Sequence, residues 1–139
     1  AVEKYSQEAA DKCVPLDSEL IKEAIPLFTQ IHHCGSVLAE VFFAMMISRI
    51  LYGSVPAPGT MVIFSILLAT CSIGTPGLPW GTVMVSLGTL TGILKFGDSG
   101  VALMFAVFAL NDAFAAACNA TCDGAAALFL TGYVKRHDL

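Results

Sequence analysis

The stretch Thr60–Leu94, TMVIFSILLATCSIGTPGLPWGTVMVSLGTLTGIL, decides the fold of this chain. Two apolar arms, Met61–Ile73 and Thr82–Leu94, flank a tip rich in glycine and proline, and each arm has 13 residues. Because a helix needs about 20 residues to cross a bilayer, neither arm crosses alone. Such arms around a helix-breaking tip are typical of a re-entrant hairpin, whose tip must lie against protein or a water-filled cavity. The alternative is a simple extracellular turn between two helices.

The composition of the whole chain favours a membrane protein. Of its 139 residues, 56% are hydrophobic and 13% are charged, whereas a soluble domain has about 25% charged residues. Only six of the charged residues lie between Ile25 and Val134, and lipid tolerates few more than that. No basic stripe indicates a nucleic-acid partner. The chain has neither an initiator methionine nor a signal peptide, and we expect it to be a fragment of a longer protein.

The segments around the hairpin predict two spanning elements. Residues 1–24 are polar with a helical pattern, and a second short helix is expected around Glu19–Ala24. An apolar stretch follows at 25–52, interrupted by His32-His33-Cys34-Gly35-Ser36, and residues 53–59 form a turn. The predicted fold class is therefore an all-α membrane protein with a broken transmembrane helix (25–52), a re-entrant helical hairpin (60–94) and a last transmembrane helix (99–134).

The positive charges predict the orientation of these elements. Three lysines precede the first span, and Lys135 and Arg136 follow the last one. The loop at 53–59 has no lysine or arginine, and the loop at 95–98 has only Lys95. By the positive-inside rule both ends of the chain are cytoplasmic and both loops are external. We expect an integral protein of the cell (inner) membrane.

Polar side chains on the last helix lie on one face. Asp112 and Asp123 are 11 residues apart, about three helical turns, and Asn119 falls on the same stripe. Such groups are costly in lipid and are expected to face a cavity or a partner. The functional interpretation is a polar ladder for cations and for a substrate's ammonium group; the alternative is a packing helix whose polar groups bond to neighbours.

The broken helix carries a second set of candidate residues. His32 and His33 point about 100° apart on a regular helix, so they cannot both bind one metal from that geometry. Participation in a substrate or ion pocket is the favoured hypothesis, and a zinc or proton-relay role is the alternative. Glu40, two turns beyond the break, either lines the same cavity or pairs with a partner elsewhere in a longer chain.

Three motifs in this order resemble the dicarboxylate/amino acid:cation symporters, the glutamate-transporter family. Residues 72–79 (SIGTPGLP) are similar to that family's second hairpin tip, Ser-Ile-Gly-Thr-Ala-Gly-Val-Pro. Residues 25–27 (IPL) and 32–36 (HHCGS) stand where the family has Leu-Pro-Leu and Asn-Met-Asp-Gly-Thr. The spacing Asp112, Asn119, Asp123 is that of the family's last helix. The resemblance covers the whole chain, as the C-terminal part of a transport domain.

The resemblance implies a role for particular residues. Asp112 would hold a substrate's amino group and Asn119 its carboxylate, and Ser36 with the backbone at Leu78 would complete the substrate pocket. One sodium ion would be bound by Asn119 and Asp123. A second would be bound by carbonyl groups, those of Ser72, Ile73 and Thr75 with those near Gln30 and His33. The tip would act as an extracellular gate, no cofactor would be needed, and the whole transporter would be a homotrimer.

Departures from the family pattern change the expected substrate. The family's Asn-Met-Asp is replaced by His32-His33-Cys34, which removes a sodium-binding carboxylate and an amide. The arginine expected three residues after Asp112 is Ala115, and its threonine neighbour is Ala116. Because a buried acid needs a pairing charge, this pocket should not favour aspartate or glutamate. We expect a neutral or unusual substrate, with sodium coupling reduced or replaced by protons.

Two other classes of function compete with a secondary transporter. One is a structural or regulatory membrane subunit, a degenerate relative that no longer transports. The other is a membrane enzyme using His32, His33 and Asp112, but no nucleophile–base spacing supports it. We therefore predict a symporter of an amino acid or dicarboxylate rather than an enzyme, with the lipid bilayer, a small-molecule substrate and the rest of the transporter chain as its partners.

Overall fold

The computed structural model describes residues 18–73, 75 and 81–137, and these ranges fold into helices without any strand. The helices are α1 (Ser18–Ile31), α2 (Cys34–Tyr52), α3 (Pro58–Ile73), α4 (Gly81–Gly92) and α5 (Asp98–His137). The predicted all-α class is confirmed. Most of the glycine and proline tip, together with the first 17 residues, lies outside the described ranges.

The first described helix is longer than the sequence pattern suggested. A short helix was expected at Glu19–Ala24, with the spanning stretch beginning at Ile25, but α1 continues through Pro26 to Ile31. Ile21 and Ile25 are both buried against Ala127 of α5, so one continuous apolar face joins the two predicted segments. The helix is interrupted only after Ile31, at His32 and His33, the first two residues of the predicted break, whereas Cys34, Gly35 and Ser36 already belong to α2.

The loop after α2 (residues 53–57) and the loop before α5 (residues 93–97) lie at the same end of the molecule. α2 ends where Gly53 adopts a left-handed conformation with φ 74°. The ring of Tyr52 packs 5.6 Å from that of Phe96, and the backbone N–H of Gly97 donates to the Tyr52 hydroxyl at 3.0 Å. The end of α2 is therefore joined to the start of α5, and the α3–α4 hairpin begins and ends beside this junction.

The hairpin arms are short. α3 has 16 residues and α4 has 12, which at 1.5 Å per residue gives about 24 Å and about 18 Å. The hydrocarbon core of a bilayer is about 30 Å thick, so neither helix spans it alone. The re-entrant position of the hairpin in a membrane remains a prediction.

The core lies where α2, α3, α4 and α5 meet. It is built from aromatic and aliphatic side chains on all four helices and on the loop before α5: Ala44, Ile47, Met61, Phe64, Leu68, Val83, Leu90, Phe96, Met104 and Phe108. α2 makes its most extensive packing with α5, and α3 packs mainly on α4. This arrangement holds the break after α1 against α5.

Within the described ranges, two segments are long and apolar enough to cross a membrane: Glu19–Tyr52, which includes the break, and Asp98–His137. In their most apolar windows only 33% and 17% of the residues are buried, whereas the core helix of a soluble protein is mostly buried. On α5, Leu110 is 81% exposed and Phe129 is 77% exposed. These exposed apolar surfaces are suited to lipid or to further membrane helices.

Candidate functional site

A glycine lets the start of α2 approach α5 closely. A Cβ atom on Gly35 would lie 2.5 Å from the carbonyl oxygen of Ala115 and 2.6 Å from the Cβ of Cys118. Real Cβ atoms do not come so near to backbone, so any other residue would push the two helices apart. The first turn of α2 is thereby held on the polar stripe of α5.

Asn119 caps α2 from the neighbouring helix. His33, at the N-cap position, makes no side-chain capping bond. Instead, the Asn119 side-chain oxygen accepts the backbone N–H groups of Gly35 at 2.7 Å and Ser36 at 3.4 Å. These are the second and third positions of the helix, whose N–H groups have no intrahelical partner. Asn119 Nδ2 also donates to Ser36 Oγ at 3.0 Å, and an amide nitrogen has a second N–H to offer.

Asp123 is held by a histidine of the break. Its carboxylate is only 2% exposed, and His32 Nδ1 lies 3.0 Å from Asp123 Oδ1. Because an ionised carboxylate can only accept, this nitrogen carries the hydrogen. A buried carboxylate is expensive without such a partner. The His32 side chain therefore gives the buried carboxylate of Asp123, the last polar group of the α5 stripe, a hydrogen-bond partner.

The other side of the break faces the end of α3. A groove of about 490 Å³ is lined by the break, by the first half of α2 and by the last turns of α3, with His33, Ser72 and Ile73 among its residues. The C-termini of α1 and α3 thus approach one space. Helix C-termini present carbonyl oxygens without intrahelical partners, which suit a cation, while the N-terminus of α2 brings the positive end of its dipole to the same groove.

The residues predicted to supply carbonyl ligands lie at or near this groove. Ser72 and Thr75 are buried, and the Thr75 hydroxyl donates to the Ser72 carbonyl at 2.6 Å, which turns the chain at the end of α3. Ile73 is exposed, as is Gln30 in the last turn of α1. The Ser72 carbonyl oxygen also accepts the backbone N–H of Thr75 at 3.2 Å, so both of its lone pairs are engaged within the chain.

The remaining predicted substrate residues are spread along α5. Asp112 is half-buried two turns from Asn119 and makes no hydrogen bond or ion pair with another described residue. Ala115 is 4% exposed, under Gly35, whereas Ala116 is exposed. The predicted residue of the tip, Leu78, lies outside the described residues. The structure thus brings Ser36, Asn119 and the break together but does not show the pocket closed.

Glu40 has a partner that the sequence did not indicate. Its side chain is fully buried between α2 and α4 and is hydrogen-bonded to Ser86 Oγ. Its second carboxyl oxygen has no partner among the described residues, nor does Nδ1 of His33. No sequence motif connects Glu40 with Ser86, which are 46 residues apart; only the polarity of Ser86 within an apolar arm was a signal.

The donor atoms can be compared with the needs of an ion. The described residues contain no group of three or more His, Cys, Asp and Glu side chains able to hold a metal. Sodium is a hard cation suited to oxygen ligands. The end of α3 offers carbonyl oxygens of this kind, of which that of Ser72 is already engaged by Thr75. At Asp123, Oδ1 is bonded to an imidazole and the neighbouring Asn119 oxygen caps α2.

A membrane protein of short, interrupted helices that converge on buried polar groups has the architecture of a secondary transporter. The chain matches the family model of the sodium:dicarboxylate symporter family over residues 6–132. It belongs to that family, as the resemblance of its motifs indicated. No curated protein and no solved structure matches it significantly.

Proposed function

We propose that this chain is the C-terminal part of the transport domain of a sodium-coupled symporter for a neutral amino acid or another substrate without an acidic side chain. The observation that carries the proposal is the position of the break between α1 and α2, with α5 on one side and the end of α3 on the other. Membership of the symporter family supports transport rather than catalysis.

The substrate pocket is proposed at the start of α2. Ser36 and Asn119 are already joined there, and the free N–H of the Asn119 amide is suited to a carboxylate. The N-terminus of α2 adds the positive end of its dipole. Asp112, two turns along α5, receives the substrate's amino group, and Leu78 contributes backbone from the tip.

The missing arginine defines the substrate class. Ala115 and Ala116 stand where the family pattern has arginine and threonine, and Ala115 is covered by Gly35. No basic side chain of the described part of α5 lies near Asn119, because the basic residues of that helix are confined to its last turn. A substrate with a second carboxylate would find no charge to pair with.

The coupling ion is proposed to bind at the carbonyl groups of Ser72, Ile73 and Thr75, with those near Gln30 and His33. Oxygen ligands and two helix C-termini favour sodium there. The hairpin tip serves as the extracellular gate. The whole protein is proposed to be a homotrimer in the cell (inner) membrane with both ends of this chain cytoplasmic, completed by segments that precede this one.

Replacement of the proposed ammonium ligand tests the pocket. The full-length protein carrying Asp112→Asn, reconstituted in proteoliposomes, should lose substrate uptake by at least about tenfold, since one charge-assisted hydrogen bond is worth about 1.5–3 kcal/mol. The neighbouring Asn111→Ala is the control, because Asn111 Nδ2 bonds only its own helix at Val107 O. Equal uptake by the Asp112→Asn variant and the unmodified protein would exclude this role.

A non-transporting subunit of the same family is the alternative function. It is favoured by the fact that Asn119 and Asp123 already have partners within the chain. The two functions differ in ligand binding, because any ligand that prefers the folded form must stabilise it. Stabilisation of the purified protein by neither sodium nor any amino acid or dicarboxylate would support the subunit.

A further inference from the structure

We propose that His32 is an ion-selectivity residue: its imidazole occupies the carboxylate of Asp123 and keeps sodium from binding there. This inference rests on the proposed symport function and concerns the same site. It assigns to His32 a role that differs from proton transfer, since the side chain acts by taking the place of an ion.

The distance between the two side chains leaves no room for an ion. His32 Nδ1 and Asp123 Oδ1 are 3.0 Å apart, a direct hydrogen-bond distance. An ion bound at the lone pair that the imidazole occupies would have to displace the imidazole. Asp123 is 2% exposed, so water has little access to the carboxylate end of this bond, whereas the imidazole is 36% exposed.

The other candidate ligands around Asp123 are also engaged. The Asn119 oxygen accepts two backbone N–H groups of α2. An atom that caps a helix is turned toward N–H donors and away from a cation. Release of that oxygen to an ion would leave the first turn of α2 without its cap.

The nearest groups contributed by the break are poor ligands for sodium. Cys34 stands where the family pattern has an aspartate, and it is a free cysteine that is half-buried at the start of α2. Imidazole nitrogen and thiol sulfur are suited to softer metals than sodium. Nitrogen and sulfur have thus replaced oxygen at two positions of the same cluster, while the carbonyl groups at the end of α3 keep an all-oxygen set.

The inference predicts that the unmodified protein binds one sodium ion fewer than a variant with asparagine at position 32. Each ion that binds only the folded form contributes RT ln(1 + [L]/Kd) to stability. At high sodium the slope of stability against ln[Na⁺] therefore counts the bound ions. We expect the slope of the His32→Asn variant to exceed that of the unmodified protein by about one ion.

The experiment uses the purified full-length protein in detergent, unfolded with denaturant at several NaCl concentrations with choline chloride holding ionic strength constant. Four proteins are compared: unmodified, His32→Asn, His32→Asn with Asp123→Asn, and the control His137→Asn, whose ring bonds only Tyr133 O. The gain should appear in His32→Asn alone. An unchanged slope in that variant, or an equal gain in the double variant, would overturn the inference.

A second arm does not depend on the folding of His32→Asn. The single variant Asp123→Asn should leave the sodium slope of the protein unchanged, because no ion binds at Asp123 when His32 is present. A slope reduced by one ion in Asp123→Asn would show sodium at this carboxylate and contradict the inference. These readings report binding, so they remain decisive even if the protein proves not to transport.

Discussion

At the scale of the residue, Gly35 decides whether the break can lie against α5. A Cβ atom at this position would meet the Ala115 carbonyl oxygen at 2.5 Å, and backbone cannot rotate away as a side chain can. Gly35→Ala should therefore lower stability by about 1–3 kcal/mol, the usual cost of overpacking, and weaken substrate binding in parallel. Denaturant unfolding of the purified protein measures the first effect.

Gly88→Ala is the matched control for Gly35→Ala. Gly88 also lies within a helix, α4, but nothing is found within 4 Å of where its Cβ would be. Removing a glycine from a helix interior is worth about 0.5–1 kcal/mol in favour of folding. If both variants changed stability in the same direction and by the same amount, the close approach of α2 to α5 would be wrong.

The second residue-scale prediction concerns the buried pair Glu40 and Ser86. Ser86→Ala removes the bond partner of a fully buried carboxyl, and an unsatisfied group of this kind costs about 1–3 kcal/mol. Thr91→Ala is the control, because the Thr91 hydroxyl is exposed and bonds only Leu87 O in its own helix. Equal stability of the two variants would contradict the pairing of α2 with α4.

At the scale of the element, the two loops that follow α2 and precede α5 lie together. The Tyr52 contact with Phe96 and Gly97 fixes this, and the positive-inside rule predicts that both loops lie outside the cell. In a protein whose cysteines have been replaced, a single cysteine at Ser54 or at Gly97 should react with an impermeant maleimide in intact cells. A cysteine at Arg136 should react only after lysis. Labelling of Ser54 and Gly97 from opposite sides would contradict the arrangement.

The order and approximate bounds of most helices could be predicted from the composition of each segment and from the glycine and proline residues between segments. The short apolar arms around the tip and the polar interruption at His32 and His33 are local features of the sequence. Each of them ends or interrupts a helix whatever the rest of the chain does. The extent of α1 could not be predicted in the same way. The change from polar to apolar composition at residue 25 suggested a boundary, but Ile21 and Ile25 are buried on α5 as one face, and that burial depends on a partner more than a hundred residues away.

For the candidate site too, the sequence predicts which residues share a helix face but not which residues they contact. The helical period placed Asp112, Asn119 and Asp123 on one face, but it could not supply their partners. His32 is 91 residues from Asp123, and Asn119 is 84 from Gly35, so these contacts follow from the packing of α2 on α5. The hydrogen bond between Glu40 and Ser86 could not be predicted from a sequence motif, since a serine in an apolar helix is common.

At the scale of the whole molecule, the chain combines a membrane surface with polar ends of helices in its interior. The exposed apolar faces of α2 and α5 need lipid or neighbouring helices. The polar break, by contrast, is half-buried against α5. A transport domain that carries its site through the bilayer requires this division, and family membership agrees with it.

The measurement that tests the central proposal most directly is uptake by the full-length protein in sealed proteoliposomes, with labelled neutral amino acids, acidic amino acids and dicarboxylates. Each is offered under a sodium gradient and then under a proton gradient alone. We predict sodium-driven accumulation of a neutral substrate, with little uptake of aspartate or glutamate because Ala115 provides no pairing charge. No accumulation of any substrate under either gradient would contradict the transporter function and favour the non-transporting subunit.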